Sequence, residues 1–352
     1  MKKIALFAIL AACCLGASAQ NLAKNELKQL QAFLAQPAEE AATNAEALKV
    51  NDLKGLTDVE GLTIENGHVT AIDWKGKKLA GSLDLSGFSA LQKVDVSRNR
   101  LTSVDLSNDA VLSNLNVSRN RLTNFAITGC SQIVELNVNN NRLTDITLSE
   151  VPFIKKLNVA ANYLVSLDVS SSSTLEELNC QSNHLEQLSV ENCTALKTLY
   201  AGYNKLNSLT LAGLTNLQNL NVDDNNISQM LVQNLPSLSY YVCSDNNMQS
   251  LAVNGCPVVL DIVCSYNDLT TFTVNDCPQL QYVDCSYNDL TSLNLSNQTF
   301  LQRLICNNNQ LTSLNVSFDQ NLTYINCRYN QIVNLYTQAC PNLRMLASEY
   351  NY

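Results

Sequence analysis

The sequence predicts a solenoid, short coils of chain stacked on one another with a parallel β-sheet along the concave side. Three observations carry that expectation. Asparagine recurs at 99, 120, 141, 162, 183, 204, 225, 246, 267, 288, 309, 330 and 351, every interval being 21 residues. Apolar residues hold fixed offsets eight, five and three places before it, and two, five and seven places after. In one copy they are Leu280, Val283 and Cys285 before Asn288, then Leu290, Leu293 and Leu295. The position two after the asparagine is Leu, Ile or Met in all twelve copies from Leu101 to Ile332. A fixed period of this length marks units that cannot bury an apolar face alone and do so by stacking.

Ahead of the array, Lys2 and Lys3 precede an apolar run from Ile4 to Leu15, and Ala17-Ser18-Ala19 forms a small-x-small cleavage site before Gln20. Residues 1–19 therefore read as a signal peptide cleaved after Ala19, which makes the mature chain secreted or cell-surface. The alternative is a lipoprotein box, Leu10-Ala11-Ala12-Cys13, with the chain anchored at Cys13. No other window holds 18 apolar residues, so no membrane insertion is expected. Loss of Lys2 and Lys3 leaves 20 basic against 31 acidic residues, a charge of −11, against −9 for the whole chain. Such a chain repels nucleic acid and anionic membrane.

Residues 20–62 read as a short helical amino-terminal cap. Leu22, Leu27, Leu30, Phe33 and Leu34 fall near helical spacing, and Pro37 ends the pattern. The following stretch, ENGHVTAIDWKGKKLAGSLDLSG, drifts into register, with Leu83 and Leu85 already in the repeat's apolar columns. Trp74 is expected to close the core of the first coil, because an open solenoid end exposes apolar side chains and unpaired strand groups. The solenoid then runs over 63–352 and stops at Asn351-Tyr352, halfway through a thirteenth copy.

Within each copy, the alternating apolar pair before the asparagine predicts a short strand with one face buried. Successive copies pair in parallel about 4.8 Å apart, giving a stack roughly 58 Å long over twelve steps. The asparagine points inward and must bond backbone of its own and neighbouring coils, which makes the residues 99–351 a ladder of amides. Nine places later Asn, Asp or Gly is frequent, as at Gly129, Asn192, Gly213 and Asp276, and these accept φ > 0. Proline follows two places on, at Pro152, Pro236, Pro257, Pro278 and Pro341. The convex side is therefore expected to be extended or 3₁₀, not α-helical.

The segments LQYVDCSYNDL and LSNLNVSRNRL resemble the leucine-rich-repeat signature L-x-x-L-x-[LVC]-x-x-N-x-L over about 270 of the 352 residues. The rest of each copy, as in LTSLNL, is a second L-x-x-L-x-L without its asparagine. This doubled pattern resembles the nested 21-residue class of secreted bacterial leucine-rich-repeat proteins. The resemblance implies adhesion, host contact or inhibition of a partner, and does not choose among them.

Eleven cysteines remain after the signal. Cys180, Cys243, Cys264, Cys285, Cys306 and Cys327 stand three before the asparagine, where other copies have Val96, Val117, Val138, Val159, Ala201 and Val222. Cys130, Cys193, Cys256, Cys277 and Cys340 stand ten after it, where others have Val151, Leu214 and Leu235. A residue that exchanges with aliphatics behaves as a small hydrophobe, so buried free thiols are expected. There is no C-x-x-C, so no zinc site is expected. Asp223, Asp224, Asp245, Asp268 and Asp289 share one edge but match no calcium loop. No metal or other cofactor is expected.

Residues six, four and two before the asparagine should face the concave side, with the one just before it at the rim. Early copies carry Arg98 and Arg119 at the rim and Arg100, Arg121 and Arg142 just after the asparagine. Later copies carry Tyr200, Tyr203, Tyr240, Tyr266, Tyr282, Tyr287, Tyr324 and Tyr329, joined by Val242, Val263 and Ile305. Tyrosine suits strands in any case, but eight of them on one side with three aliphatics also form a candidate partner-binding surface. For an enzyme there is little to recruit. His68 and His184 are the two histidines, and neither G-x-S-x-G nor a glycine-rich phosphate loop occurs. The expected function is a non-catalytic scaffold that binds a protein partner. The alternatives are a glycan stacked on the tyrosines and a homodimer that pairs, as a structural or adhesive surface protein, through the uncapped carboxyl edge.

Overall fold

The computed structural model describes residues 22–56, 59–295, 298–317, 320–338 and 340–352. The signal peptide and the alternative anchor at Cys13 lie outside the described residues. The chain is a β-solenoid whose coils advance 21 residues at a time. Among the described residues, one sheet of 15 strands runs its length, and shorter sheets of two or three strands lie on the opposite side.

Each repeat strand of the long sheet is three residues, six to four before the asparagine, as in Asn219–Asn221 and Tyr240–Val242. Its middle residue points in and the outer two point out, so Leu220 and Tyr241 are buried between surface neighbours. Adjacent strands pair in parallel with Leu220 opposite Tyr241 and Tyr241 opposite Ile262. The register never slips through the repeats because a one-residue shift would turn every apolar residue to water. The convex side is extended, as in Ser166–Asp168 beside Gln187–Ser189, and each coil then closes through a turn. Asn108, Gly129, Asn192, Gly213, Asn234, Gly255 and Asp276, all nine after the asparagine, take positive φ at that corner.

The asparagine ladder forms as its inward position requires. In Asn225, Nδ2 donates to the carbonyls of Val222 in its own coil and Ala201 in the preceding one, both at 3.1 Å. Its Oδ1 accepts from the Leu206 N–H at 3.0 Å. The same bonds recur at Asn141, Asn162, Asn183, Asn204, Asn246, Asn267, Asn288, Asn309 and Asn330.

The cap packs α1 (Lys24–Leu34) on the short α2 (Asn44–Ala47) and on the strand Ala80–Asp84, and α1 bonds an antiparallel hairpin of β1 (Leu62–Glu65) and β2 (His68–Asp73). β2 then pairs in parallel with the first repeat strand, so the hairpin occupies the sheet's open edge. Trp74 is fully buried and stacks on Phe33, ring centroids 5.9 Å apart, with Nε1 donating to the Glu60 carbonyl. The buried carboxylate of Glu26 accepts the Val69 N–H at 2.8 Å and meets His68 Nδ1 at 2.9 Å, pinning α1 to the hairpin.

Cys130, Cys180, Cys193, Cys243, Cys256, Cys264, Cys277, Cys285, Cys306 and Cys327 are free, buried thiols, and Cys340 is half-buried. The column three before the asparagine is apolar filling, and burial pushes the thiols of Cys180 and Cys243 up to about 12. Cys180 of this column also donates through Sγ to the Tyr200 carbonyl at 3.5 Å, and the other column makes fuller use of such bonds. Cys130, Cys193 and Cys340 donate through Sγ to carbonyls of Leu106, Val169 and Val316, at 2.9, 3.2 and 2.9 Å.

Asp109 occupies that second column where a small hydrophobe is usual. One carboxyl oxygen accepts the Phe88 N–H at 2.7 Å and the other, buried, finds no partner. Burial pushes its carboxyl up to about 8, opposed by the Phe88 N–H and reinforced by Asp105 and Glu26.

Two predictions follow from these packing facts. Asn225→Ala should cost on the order of 1–3 kcal/mol through orphaned backbone groups, read from the urea midpoint. Exposed Asn226→Ala next to it should stay within about 0.5 kcal/mol. The second concerns pH. Between an unfolded value of about 3.9 and the folded value of about 8, the native chain holds the extra proton on Asp109, so stability falls as pH rises through that window. Asp109→Asn should flatten the dependence of Tm on pH between about 5 and 8 and raise Tm at the upper end.

Candidate functional site

Backbone geometry sorts the outward residues into a face and a rim. Tyr200, Tyr240, Tyr282 and Tyr324, with Val242, Val263 and Ile305, sit at the first or third residue of sheet strands and face outward. Tyr203, Tyr266, Tyr287 and Tyr329 sit just before the asparagine, beyond the strand. There the backbone takes φ between +52° and +56°, a left-handed conformation that all thirteen copies share, whether the residue is Arg98, Ala161, Asp245 or tyrosine. This kink ends the strand and throws the side chain out along one edge.

Repeated geometry makes the rim side chains stack. Tyr266 and Tyr287, on adjacent coils, lie with ring centroids 4.3 Å apart and planes within 9°. Tyr329 pairs with Tyr350 in the same way, at 4.3 Å and 6°. Tyr203 has Ser182 and Asp224 as rim neighbours and stands half-exposed by itself. On the face, the Arg303 guanidinium lies over the Tyr324 ring at 4.6 Å and over Tyr282 at 5.7 Å. Burial, then the Asp284 carboxylate, pushes the Tyr282 phenol up, and burial pushes the Asp261 carboxyl up beside it. Val242 and Val263 are direct cross-strand neighbours, with Ile305 two strands on. The structure thus brings face residues 240–324 into one patch flanked by the stacked rim, while Tyr200 lies two strands away beyond Asn221.

Three features were not read from the sequence. The residue two before the asparagine does not join the concave face as expected. The strand stops at the fourth, and the side chains beyond it line up so closely that small ones are buried, as with Ser97, Ser118, Ala160, Ser244, Ser265 and Ser286. Ser244 and Ser265 meet through their hydroxyls at 2.9 Å. Arg303 and Tyr350 also belong to the surface; the 21-residue column places each beside a tyrosine.

The column four before the asparagine carries a local bond that the apolar members lack. Asp95, Asn116, Asn137, Asn158, Asn179, Asn221, Asp284 and Asn326 each accept, through Oδ1, the N–H two residues on, at 2.9–3.4 Å. Tyr200, Val242, Val263 and Ile305 have no such acceptor to offer.

Of the arginines near the amino end, Arg100 pairs with Glu39, and Arg98, Arg119, Arg121 and Arg142 are exposed. Burial and neighbouring Asp224 push the Asp223 carboxyl up. Among the described residues no group of three or more His, Cys, Asp or Glu side chains could hold a metal ion. None of the described helices is long and apolar enough to cross a membrane.

No family model matches the chain, and no curated protein matches it. Its similarities are to solved structures. A leucine-rich-repeat protein of Leptospira interrogans is 20% identical, with 87% of each chain covered and a TM-score of 0.63. The leucine-rich effector YopM of Yersinia pestis is 24% identical over 74% of this chain and 78% of its own, TM-score 0.57. An internalin of Listeria monocytogenes is 20% identical over 90% of this chain and 94% of its own, TM-score 0.52. At these identities the likeness establishes architecture, and the chain has the fold of the bacterial leucine-rich-repeat solenoids.

Proposed function

We propose that the chain is a non-catalytic scaffold, secreted or displayed at the cell surface, that binds a protein partner through the carboxyl-terminal half of its concave face. The carrying observation is the patch built by Tyr240, Val242, Val263, Tyr282, Arg303, Ile305 and Tyr324. Tyrosine and arginine supply large contact area with few torsions to freeze, and both are enriched at interface centres. Here they are already ordered. Arg303 is held over two rings, and Tyr266 and Tyr287 are held by each other. Side chains fixed before contact lose less entropy on binding. The solved structures it resembles include the leucine-rich effector YopM, and no nucleophile–base pair or phosphate loop in the sequence points to catalysis. Export rests on the basic and apolar amino end with its Ala17-Ser18-Ala19 site.

The test replaces Tyr266, Tyr282 and Tyr287 by serine in one variant and compares it with the parent in affinity capture from the cell's surroundings, read by mass spectrometry. Proteins held by the parent should be lost by the variant while its urea midpoint stays close to the parent's. Equal capture by both removes the tyrosine surface from the account.

A further inference from the structure

The tyrosine patch leaves the amino-terminal half of the concave face unused. That half is a groove of about 510 Å³ crossing the strands from Lys93–Asp95 to Thr198–Tyr200. Along it run Asn116, Asn137, Asn158 and Asn179, followed by the half-exposed ring of Tyr200. Every amide oxygen in this row is committed to the N–H two residues on, which fixes the direction of the amide. The nitrogens differ. Asn116 Nδ2 donates to Asp95 at 3.2 Å, whereas among the described residues Nδ2 of Asn137, Asn158 and Asn179 has no acceptor.

Three amide donors therefore stand on adjacent strands, about 4.8 Å apart, oriented and unused. Charge along the groove nearly cancels. Lys156 pairs with Glu177 at 3.0 Å, and Glu135 accepts from Asn114 at 3.0 Å.

We propose that this groove binds a neutral, linear oligosaccharide of N-acetylated hexosamines. Groups that only donate are matched by oxygens that only accept, which in such a sugar are the acetamido carbonyls, ring oxygens and glycosidic oxygens. A β-linked chain turns successive hexoses over, so its like-facing oxygens recur close to every second strand, and its apolar ring face stacks on an aromatic ring such as Tyr200. Other occupants fit less well. An extended peptide turns like-facing carbonyls to one side about every 6.7 Å and falls out of step within two strands. A polyanion meets Asp95, Glu135 and Glu177 within the groove. An apolar ligand strips water from the amides and returns no acceptor.

The experiment titrates the full chain with chitohexaose in a calorimeter, with cellohexaose, a heparin hexasaccharide and an unstructured polar peptide as comparators. Chitohexaose should bind, and more tightly than the other three. The variant Asn158→Asp with Asn179→Asp keeps the oxygens that hold the turns, as Asp95 and Asp284 do in the same column, and removes two donors. It should bind chitohexaose about tenfold or more weakly, as should Tyr200→Ser. The triple serine variant at Tyr266, Tyr282 and Tyr287 should bind it as the parent does, which separates this site from the protein-binding surface. Absence of heat at millimolar chitohexaose overturns the proposal, as does equal binding by the amide variant, or binding of cellohexaose, heparin or peptide at least as tight.

Discussion

The buried asparagine amide is the interaction on which the solenoid depends. A coil of 21 residues is too short to close on itself with its backbone groups satisfied, so each coil must borrow partners from the next. Asn225 does this in three directions at once, with bonds to Ala201, Val222 and Leu206. Because Nδ2 and Oδ1 reach the preceding coil together, the bond fixes both the rise and the phase of the stack. An aliphatic residue could fill the volume but would leave carbonyls and an N–H buried and unpaired. The cap answers the same need at the amino end. Asn44, two carbonyl bonds and one N–H bond in all, takes for α2 the part that the ladder plays between repeats.

Exact repetition of the backbone has a second consequence. Residues at a given offset are brought to the strand spacing in one conformation, so like side chains stack along the columns. The buried columns exploit this for packing, and cysteine enters them as a small apolar residue whose thiol can also take up a carbonyl. The outer columns carry no such demand. Lysine, glutamate, threonine, tyrosine and arginine follow one another six before the asparagine without disturbing a single strand pairing. Fold and surface are written in separate columns, which is why a fold common to proteins of low identity says little about what any one of them binds.

That separation also decides what the sequence could reveal. The period, the inward columns, the asparagine ladder, the extended convex side, α1 and the burial of Trp74 all follow from side-chain polarity at fixed offsets, and polarity is what a sequence displays. The left-handed residue before the asparagine was not legible because glycine never marks it; Arg98, Ala161, Asp245 and Tyr266 occupy it alike, and the constraint comes from the stack. The burial of Ser97 and Ser244 was missed for a related reason. Strand alternation was carried two residues past the point where the strand ends. Asp109 sits in an apolar column as an isolated exception, and its displaced titration follows from burial that only the packed cap and first coils create.

The face column four before the asparagine shows where surface demands oppose the fold. Asn or Asp there closes a small turn by accepting the N–H two residues on, and eight copies do so. Tyr200, Val242, Val263 and Ile305 forgo that bond, worth about 0.5–1.5 kcal/mol each, and set apolar area against water at the same place. Local stability favours asparagine at all four, since the same backbone accepts it in the neighbouring copies. Val242, Val263 and Ile305 are half-buried along the sheet, which offsets part of that loss, while exposed Tyr200 gains least from the chain itself. The amide-bearing copies keep their turns and still present three free donors, so the two halves of one concave face differ in chemistry, apolar and aromatic toward the carboxyl end, hydrogen-bonding toward the amino end.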